Sequence, residues 1–368
     1  MTRNSADVII IGAGIVGVAS ARALARAGLK VLMLDRGEPC GEATRAAAGM
    51  LAPQIEAHAG NPLLRLGLAA RDRFADLAAE LSRAGHDIGH WAGGIVHLAF
   101  DDLEADALKD QVAAQVALGL KAEWLSDAEL RRRHPCVSPA ARGALLAPRD
   151  GCVNPGRLGA ALLGEARELG VTFARAEVCE VTIGHGHVTG VRSELDSARA
   201  DAVVVAAGAW SGALVGMPRG APVEPVRGQM AAVPWPAGEP PAVLFSNEGY
   251  VVARGGEAML GSTMERVGFV NETTPDGLEQ IRRGASRLVP SLHDVPFTRT
   301  WSGLRPVSAD GLPIISRDPN VSGLFFATGH GRNGILLGPL TGEIVCDLVT
   351  TGETRWDITP YSITRFWG

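Results

Sequence analysis

The 368-residue chain is poor in the features that mark several broad classes of protein. Its five cysteines, Cys40, Cys136, Cys152, Cys179 and Cys346, are scattered, odd in number and form no CxxC pair. That argues against a disulfide framework and a thiolate metal centre, and it fits a reducing cytoplasm. The nine histidines show no ligand spacing, so no metal is expected. Charge of one sign is missing too. The formal net charge of −5 is too mild to point to nucleic acid or an anionic membrane as partner. Aromatics make up 5 %, with two tyrosines, and serine or cysteine nucleophile motifs are absent. The longest apolar stretch, residues 8–18, follows Asp7, has Arg3 as its sole upstream basic residue, and is cut short by Arg22 and Arg26. Neither a signal peptide nor a transmembrane helix is expected.

What the chain does have is glycine, 46 residues of it, and enough length for two hydrophobic cores. Residues 7–11 read DVIII, a β-branched run typical of a buried parallel strand. Gly12-Ala-Gly14-Ile15-Val16-Gly17 follows, then small and apolar residues at helical spacing up to Gly28, then the strand KVLMLD ending at Asp35. Strand, glycine turn, helix, strand and acid in this order make a dinucleotide site. Gly12 permits the turn, Gly14 lets backbone approach a pyrophosphate, and Gly17 lets the helix pack on the sheet. The helix start supplies unpaired N–H groups and positive dipole. Asp35 is placed to bind ribose hydroxyls and disfavours a 2′-phosphate, which leaves FAD and NAD open.

Farther on, helices are expected over 62–84, 103–118, 126–133 (capped by Ser126 with Glu129), 155–169 and 276–289. Strands are expected over 93–100, 171–174, 177–183, 187–192 and 202–206, and several short ones between 226 and 261 suggest an antiparallel sheet. The small-residue run 46–49 reads either as extended backbone close to a flat ligand or as the start of an Ala-rich helix. The strand FFAT (325–328) leads into a second glycine-rich turn and a final helix to about residue 349. This alternation predicts an α/β fold in which a Rossmann-like nucleotide-binding domain is interleaved with an antiparallel-sheet, α+β substrate domain. The expected boundaries are 1–88, 144–213 and 301–368 for the first, and 89–143 and 214–300 for the second.

The residues GAGIVG (12–17), Asp35, AAAGMLAPQ (46–54), EVCEV (177–181), AAGAWS (206–211), GLRP (303–306) and ATGHGRNGILLGP (327–339) together resemble the D-amino-acid oxidase and glycine oxidase group of flavoenzymes. The GMLAPQ and GHGRNGILL segments are most similar to the glycine oxidase (thiazole-biosynthesis) branch. The resemblance implies FAD as cofactor. It implies a cofactor site of Gly12, Gly14, Ile15, Val16, Gly17, Asp35, Arg36, Thr44, Ala47, Ala48, Gly49, Met50, Val178, Ala207, Gly208 and Trp210, continued by Arg305, Gly331, Arg332, Asn333, Gly334, Ile335 and Leu336.

It also implies that Arg305 grips a substrate carboxylate, that Tyr250 and Met264 line the substrate pocket, and that Arg332 lies at its edge. Ordinary alternatives stand beside these roles: Arg305 paired with an acid such as Asp310, Tyr250 as a sheet tyrosine, Met264 in core packing, Arg332 stabilising its loop, and His330 as a structural histidine. The implied reaction is oxidative deamination of glycine, sarcosine or a small D-amino acid. Hydride passes from Cα to flavin N5, with O2 as acceptor; a dehydrogenase using a quinone or carrier is the alternative. Catalysis of this kind is mostly orientation. Oligomeric state is left open, a homo-oligomer included.

Overall fold

The computed structural model describes residues 6–56, 60–194 and 196–367. The β-branched run at the N-terminus forms strand Val8–Ile11, which is buried on both faces and lies inside a six-stranded sheet. Across the sheet the order is Ile314–Arg317, Leu324–Thr328, Ala202–Val205, Val8–Ile11, Val31–Asp35 and Thr172–Arg175. All pairings are parallel except that of Ile314–Arg317. Alternation along Val8–Ile11 splits its side chains between two cores. Val8 and Ile10 pack with Leu24, Leu158 and Leu340 of helices Ile15–Arg26, Pro155–Glu168 and Gly334–Thr350. Ile9 and Ile11 pack with Val181 and Val191 of a three-stranded antiparallel sheet. Cover on both sides explains why these strands read as unbroken apolar runs.

The second sheet has eight strands, in the order Arg299–Ser308, Val223–Pro234, Glu257–Gly261, Gly249–Arg254, Ala242–Ser246, Ile95–Ala99, Gly143–Ala147 and Glu123–Ser126. Its pairings are antiparallel except that between Ala242–Ser246 and Ile95–Ala99. Helix Pro275–Leu288 covers one face, through Ile281 and Leu288 against Val251 and Ala253. The other face presents Met230, Tyr250 and Val252 to Ala48, Ala52 and Ile55. Segment 43–56 is therefore the seam between the two sheets.

The expected helices form, and Ser126 and Glu129 make the full capping box. Segment 46–49 takes the extended form: one helical turn, Ala43–Ala46, ends at Ala47 with φ −70° and ψ 146°. Two expected boundaries need correction. Residues 144–147 and 301–308, expected in the nucleotide-binding part, both lie in the eight-stranded sheet. Gly143–Ala147 bonds on one side to Ile95–Ala99 and on the other to Glu123–Ser126. Arg299–Ser308 pairs along its length with Val223–Pro234, from Ala232↔Arg299 to Val223↔Ser308. Pro306 hides that strand in the sequence, yet proline is tolerated on a sheet edge, which is where this strand lies. Among the described residues, no helix is long and apolar enough to cross a membrane.

Candidate active site

A continuous cleft runs from the carboxyl ends of Val8–Ile11 and Val31–Asp35, along the seam, to the second sheet. At its first end Gly12 has φ +105°, and a Cβ there would stand 2.3 Å from the Ala206 carbonyl oxygen, so the turn requires glycine. Helix Ile15–Arg26 begins at Gly14 with no side-chain cap and no acidic residue in its first turn, which leaves its positive end facing the cleft. Thr44 Oγ1 accepts from the Ile15 N–H at 3.0 Å. The Asp35 carboxylate accepts from the N–H groups of Ala13 at 2.6 Å and Gly37 at 2.8 Å, which fixes the acid at the glycine turn. The Arg36 guanidinium lies 3.7 Å over the Trp210 ring, and Trp210 stacks on Phe269 at 5.5 Å. Val178, Ala207 and Gly208 line the same end.

Along the middle run Thr44, Ala47, Ala48, Gly49 and Met50. Two side chains of the second sheet hold this segment. Trp301 Nε1 donates to the Ala46 carbonyl at 3.1 Å. Arg254 donates to the carbonyls of Val153 and Ala48, the latter at 3.3 Å.

Arg305 stands at the far end. Its Nη1 donates to the Thr263 carbonyl at 3.1 Å and its Nη2 to Ser262 Oγ at 2.7 Å. Asp310 is committed elsewhere, bound twice by Arg365 at 2.6 and 3.0 Å. Among the described residues, no carboxylate forms an ion pair with Arg305. Burial lowers its pKa, with Tyr250, Arg332 and Glu56 acting on it from nearby. A guanidinium stays protonated all the same, so this is a desolvated cation in want of an anion. Behind it, the Glu265 carboxylate accepts from Arg227 at 2.9 and 3.1 Å, from Gln229 Nε2 at 2.9 Å and from Thr263 Oγ1 at 2.7 Å. The Arg227 hydrogen bonds hold that carboxyl down at about 2. The network pins the residue whose carbonyl takes Arg305.

Tyr250 donates to Met230 Sδ at 3.1 Å, and Arg332 pairs with Glu56 at 3.1 Å. The last helix, Gly334–Thr350, opens on the cleft with no side-chain cap and no acid in its first turn; Gly331, Asn333, Gly334 and Ile335 line it. His330 is buried behind them with Nε2 3.0 Å from Thr341 Oγ1, and burial lowers its pKa to about 4, so the ring is neutral at pH 7.

Three expected site residues lie off the cleft. A Cβ on Gly17 would meet the Gly12 carbonyl oxygen at 2.0 Å, so this glycine serves helix packing. Leu336 is 2 % exposed in the first core, because its position on the last helix turns it inward. Met264 is 56 % exposed and lines a second cavity beyond Tyr250. Ser262, Thr263, Met230, Glu56 and two glycines join the site without a signal of their own type in the sequence. A Cβ on Gly228 would stand 1.9 Å from Arg305 Nη1, and one on Gly261 would stand 2.5 Å from the Tyr250 hydroxyl. Isolated glycines inside apolar strands signal such close approach.

The arrangement fits a long dinucleotide: a flat stacked platform and an acid at one end, a helix start without an acidic first turn in the middle, and a second such helix start beside Arg305 at the other. Comparison with known proteins agrees. A family model described as FAD dependent oxidoreductase matches residues 7–348. A glycine oxidase of Geobacillus kaustophilus (strain HTA426) is 36 % identical, covering 98 % of this chain and 97 % of that protein. One of Pseudomonas aeruginosa is 32 % identical, covering 97 % and 98 %. The crystal structure of glycine oxidase from G. kaustophilus superposes with a TM-score of 0.93 at 34 % identity, covering 98 % of this chain and 99 % of that one.

Proposed function

The chain belongs to the FAD dependent oxidoreductase family, and on that footing we propose that it oxidises the Cα–N bond of glycine, sarcosine or a small D-amino acid, with O2 as final acceptor. The observation that carries this reading is Arg305, a half-buried guanidinium without a counter-anion at the substrate end of the cleft. A substrate carboxylate completes it through two parallel charge-assisted hydrogen bonds. Tyr250 turns its hydroxyl from Met230 to the same carboxylate. Arg332, balanced by Glu56, closes the edge of the pocket.

When bound, FAD supplies the two-electron acceptor for the hydride leaving Cα. The chain's own residues then orient rather than react. Arg305 and Tyr250 fix one end of the substrate, and segment 44–50 and Arg36, Trp210 and Val178 fix the cofactor. The starts of the two helices at Ile15 and Gly334 place positive dipole where negative charge gathers. His330, neutral and bonded to Thr341, takes no proton from the substrate. The released imine is hydrolysed by water to an oxo acid and ammonia or an amine, and O2 leaves as H2O2. The unpaired cysteines agree with a reducing cytoplasm as the site of action.

The test is an anaerobic spectral titration of the purified protein with glycine, sarcosine and D-alanine, followed by air and a peroxide assay. Bleaching of the flavin band with peroxide on reoxidation is expected. Bleaching without peroxide would replace the oxidase by a dehydrogenase, and no bleaching would remove the substrate class.

A further inference from the structure

Gln54 lies in the single helical turn Pro53–Glu56 of the seam, is fully buried, and has every polar atom committed. Its N–H donates to Asp150 Oδ2 at 3.0 Å, and its carbonyl accepts from Gln115 Nε2 at 2.6 Å and Gln111 Nε2 at 3.0 Å. Its Oε1 accepts from Arg71 Nη1 at 2.6 Å, and its Nε2 donates to Gln115 Oε1 at 2.8 Å and to the Lys121 carbonyl at 3.0 Å. Arg71 also donates to Asp150 Oδ1 at 2.8 Å, which closes the circuit. One residue is thus tied to helix Pro62–Arg83, to helix Asp102–Ala117 and to the loop after strand Gly143–Ala147. The turn is drawn close as well, since a Cβ on Gly67 would stand 2.9 Å from Pro53 Cβ. Apolar side chains of the same volume often stabilise such a place as well as a buried ion pair and amides do, and Pro53 and Ile55 on either side are buried in that simpler way. What the satisfied polar network adds is a fixed position.

Two residues on, about 200° around the turn, Glu56 faces the cleft. Its carboxylate accepts from Arg332 Nη2 at 3.1 Å and acts on Arg305 from nearby. With Arg332 balanced in this way, Arg305 is left as the cation of the pocket without a carboxylate partner among the described residues. We propose that Gln54 is a positioning residue for the substrate: it holds the Pro53–Glu56 turn where Glu56 neutralises Arg332, so that a carboxylate is drawn to Arg305 and not to the pocket edge. This rests on the reading of Arg305 as the seat of the substrate carboxylate. Without the restraint Glu56 swings away, and a second unbalanced cation faces the pocket.

The test is a double-mutant cycle read in ligand affinity. Acetate, a carboxylate with no amine to oxidise, is titrated into the FAD-loaded wild type, Gln54→Met, Glu56→Gln and the double variant, and the flavin absorbance change reports its affinity. Glu56→Gln removes the charge that balances Arg332, so acetate is expected to bind about two- to fivefold more tightly, the range of a solvent-accessible charge pair. Gln54→Met keeps the length of the side chain and is expected to tighten acetate in the same direction. The double variant is expected to match Glu56→Gln alone, because both changes act through one carboxylate. General damage to the seam loosens the ligand instead. Weaker or unchanged acetate binding in Gln54→Met would overturn the role, and so would effects that multiply in the double variant. Should Gln54→Met fail to hold FAD, the same cycle is run with Gln115→Met, which spares the bonds from Arg71 and to Asp150. Glycine turnover separates the two readings, with a lower kcat and no rise in KM expected for Gln54→Met. Coupled acetate affinities without turnover of any amine keep the positioning role and sink the proposed oxidation. Wild-type turnover with uncoupled affinities sinks the positioning role alone, and no acetate binding in any of the four proteins overturns it together with the Arg305 reading.

Discussion

At Gly228 the missing Cβ makes the room that the Arg305 guanidinium fills, since an added Cβ would stand 1.9 Å from Nη1. Gly228↔Gly303 is a register pair on adjacent strands, and Arg305 lies two residues along from Gly303, on the same face. Gly228→Ala therefore displaces the guanidinium without touching the nucleotide end. KM for glycine is expected to rise while the bound-flavin spectrum keeps its shape; unchanged KM would show that the guanidinium relaxes freely. Arg305→Ala is more severe. It leaves the substrate carboxylate without its charged partner, at a cost of about 2–5 kcal/mol. That is a loss in affinity of roughly thirtyfold to several thousandfold. Steady-state kinetics that leave KM for amino acids unmoved would refute the carboxylate role. At this scale the sequence was informative where a residue type has few uses. A glycine turn before an acid points to a dinucleotide, and an arginine in GLRP points to a carboxylate, of a substrate or of a neighbouring acid. Ser262, Thr263 and Glu265 were not legible, because hydroxyls and a glutamate in a polar loop look like ordinary surface. Their importance lies in register: Arg227 and Glu265 bond to each other through both backbone and side chains, across residues 38 apart.

The strand Gly249–Arg254 shows how one element serves both halves of the site. Side chains alternate along it, so Tyr250, Val252 and Arg254 share a face. That face packs on the seam, with Tyr250 and Val252 against Ala48, Ala52 and Ile55. Tyr250 reaches the substrate end, and four residues on Arg254 holds the carbonyls of Ala48 and Val153. The strand is thus a spacer that sets the cofactor-lining backbone at a fixed distance from the pocket. Arg254→Met keeps much of the volume and removes both hydrogen bonds, each worth about 1–3 kcal/mol for a charged donor. FAD is expected to bind the variant apoprotein about tenfold more weakly, with a smaller effect on KM. Titration of apoprotein with FAD checks this, and unaltered FAD affinity would reduce Arg254 to a packing residue. The strand itself was expected, as one of the short strands between 226 and 261. Arg299–Ser308 was not, because Gly303 and Pro306 break its apolar pattern. Only the partner strand Val223–Pro234 supplies the hydrogen bonds that make it a strand.

Over the whole molecule, two sheets with separate cores meet along a narrow seam, and the titrating groups buried on either side of it tie its stability to pH. His330 is fully buried next to the last helix, and burial lowers its pKa from 6.5 to about 4. The unfolded chain takes up this proton as pH falls through 6.5, while the folded protein refuses it until about 4. The neutral ring's contribution is therefore complete above pH 6.5 and is lost progressively below it. Asp150 drifts the other way. It is fully buried and bound to Arg71 at 2.8 Å, yet burial pushes its carboxyl up to about 7. Stability on its account falls as pH rises from 3.8 toward that value. Glu265, held at about 2, adds a loss only below its ordinary 4.5. Comparing wild type with His330→Asn between pH 7.5 and 5 isolates the histidine, because the Asp150 drift is common to both and cancels and Glu265 titrates below the window. On acidification the wild type is expected to lose on the order of 2 kcal/mol more stability than the variant, because its ring is held to about 4 in the fold against 6.5 in the unfolded chain. Thermal or urea unfolding of both FAD-loaded proteins across this range measures the difference. Parallel pH profiles would mean that the folded protein takes up the His330 proton near the ordinary 6.5, so that burial does not hold the ring neutral below that pH.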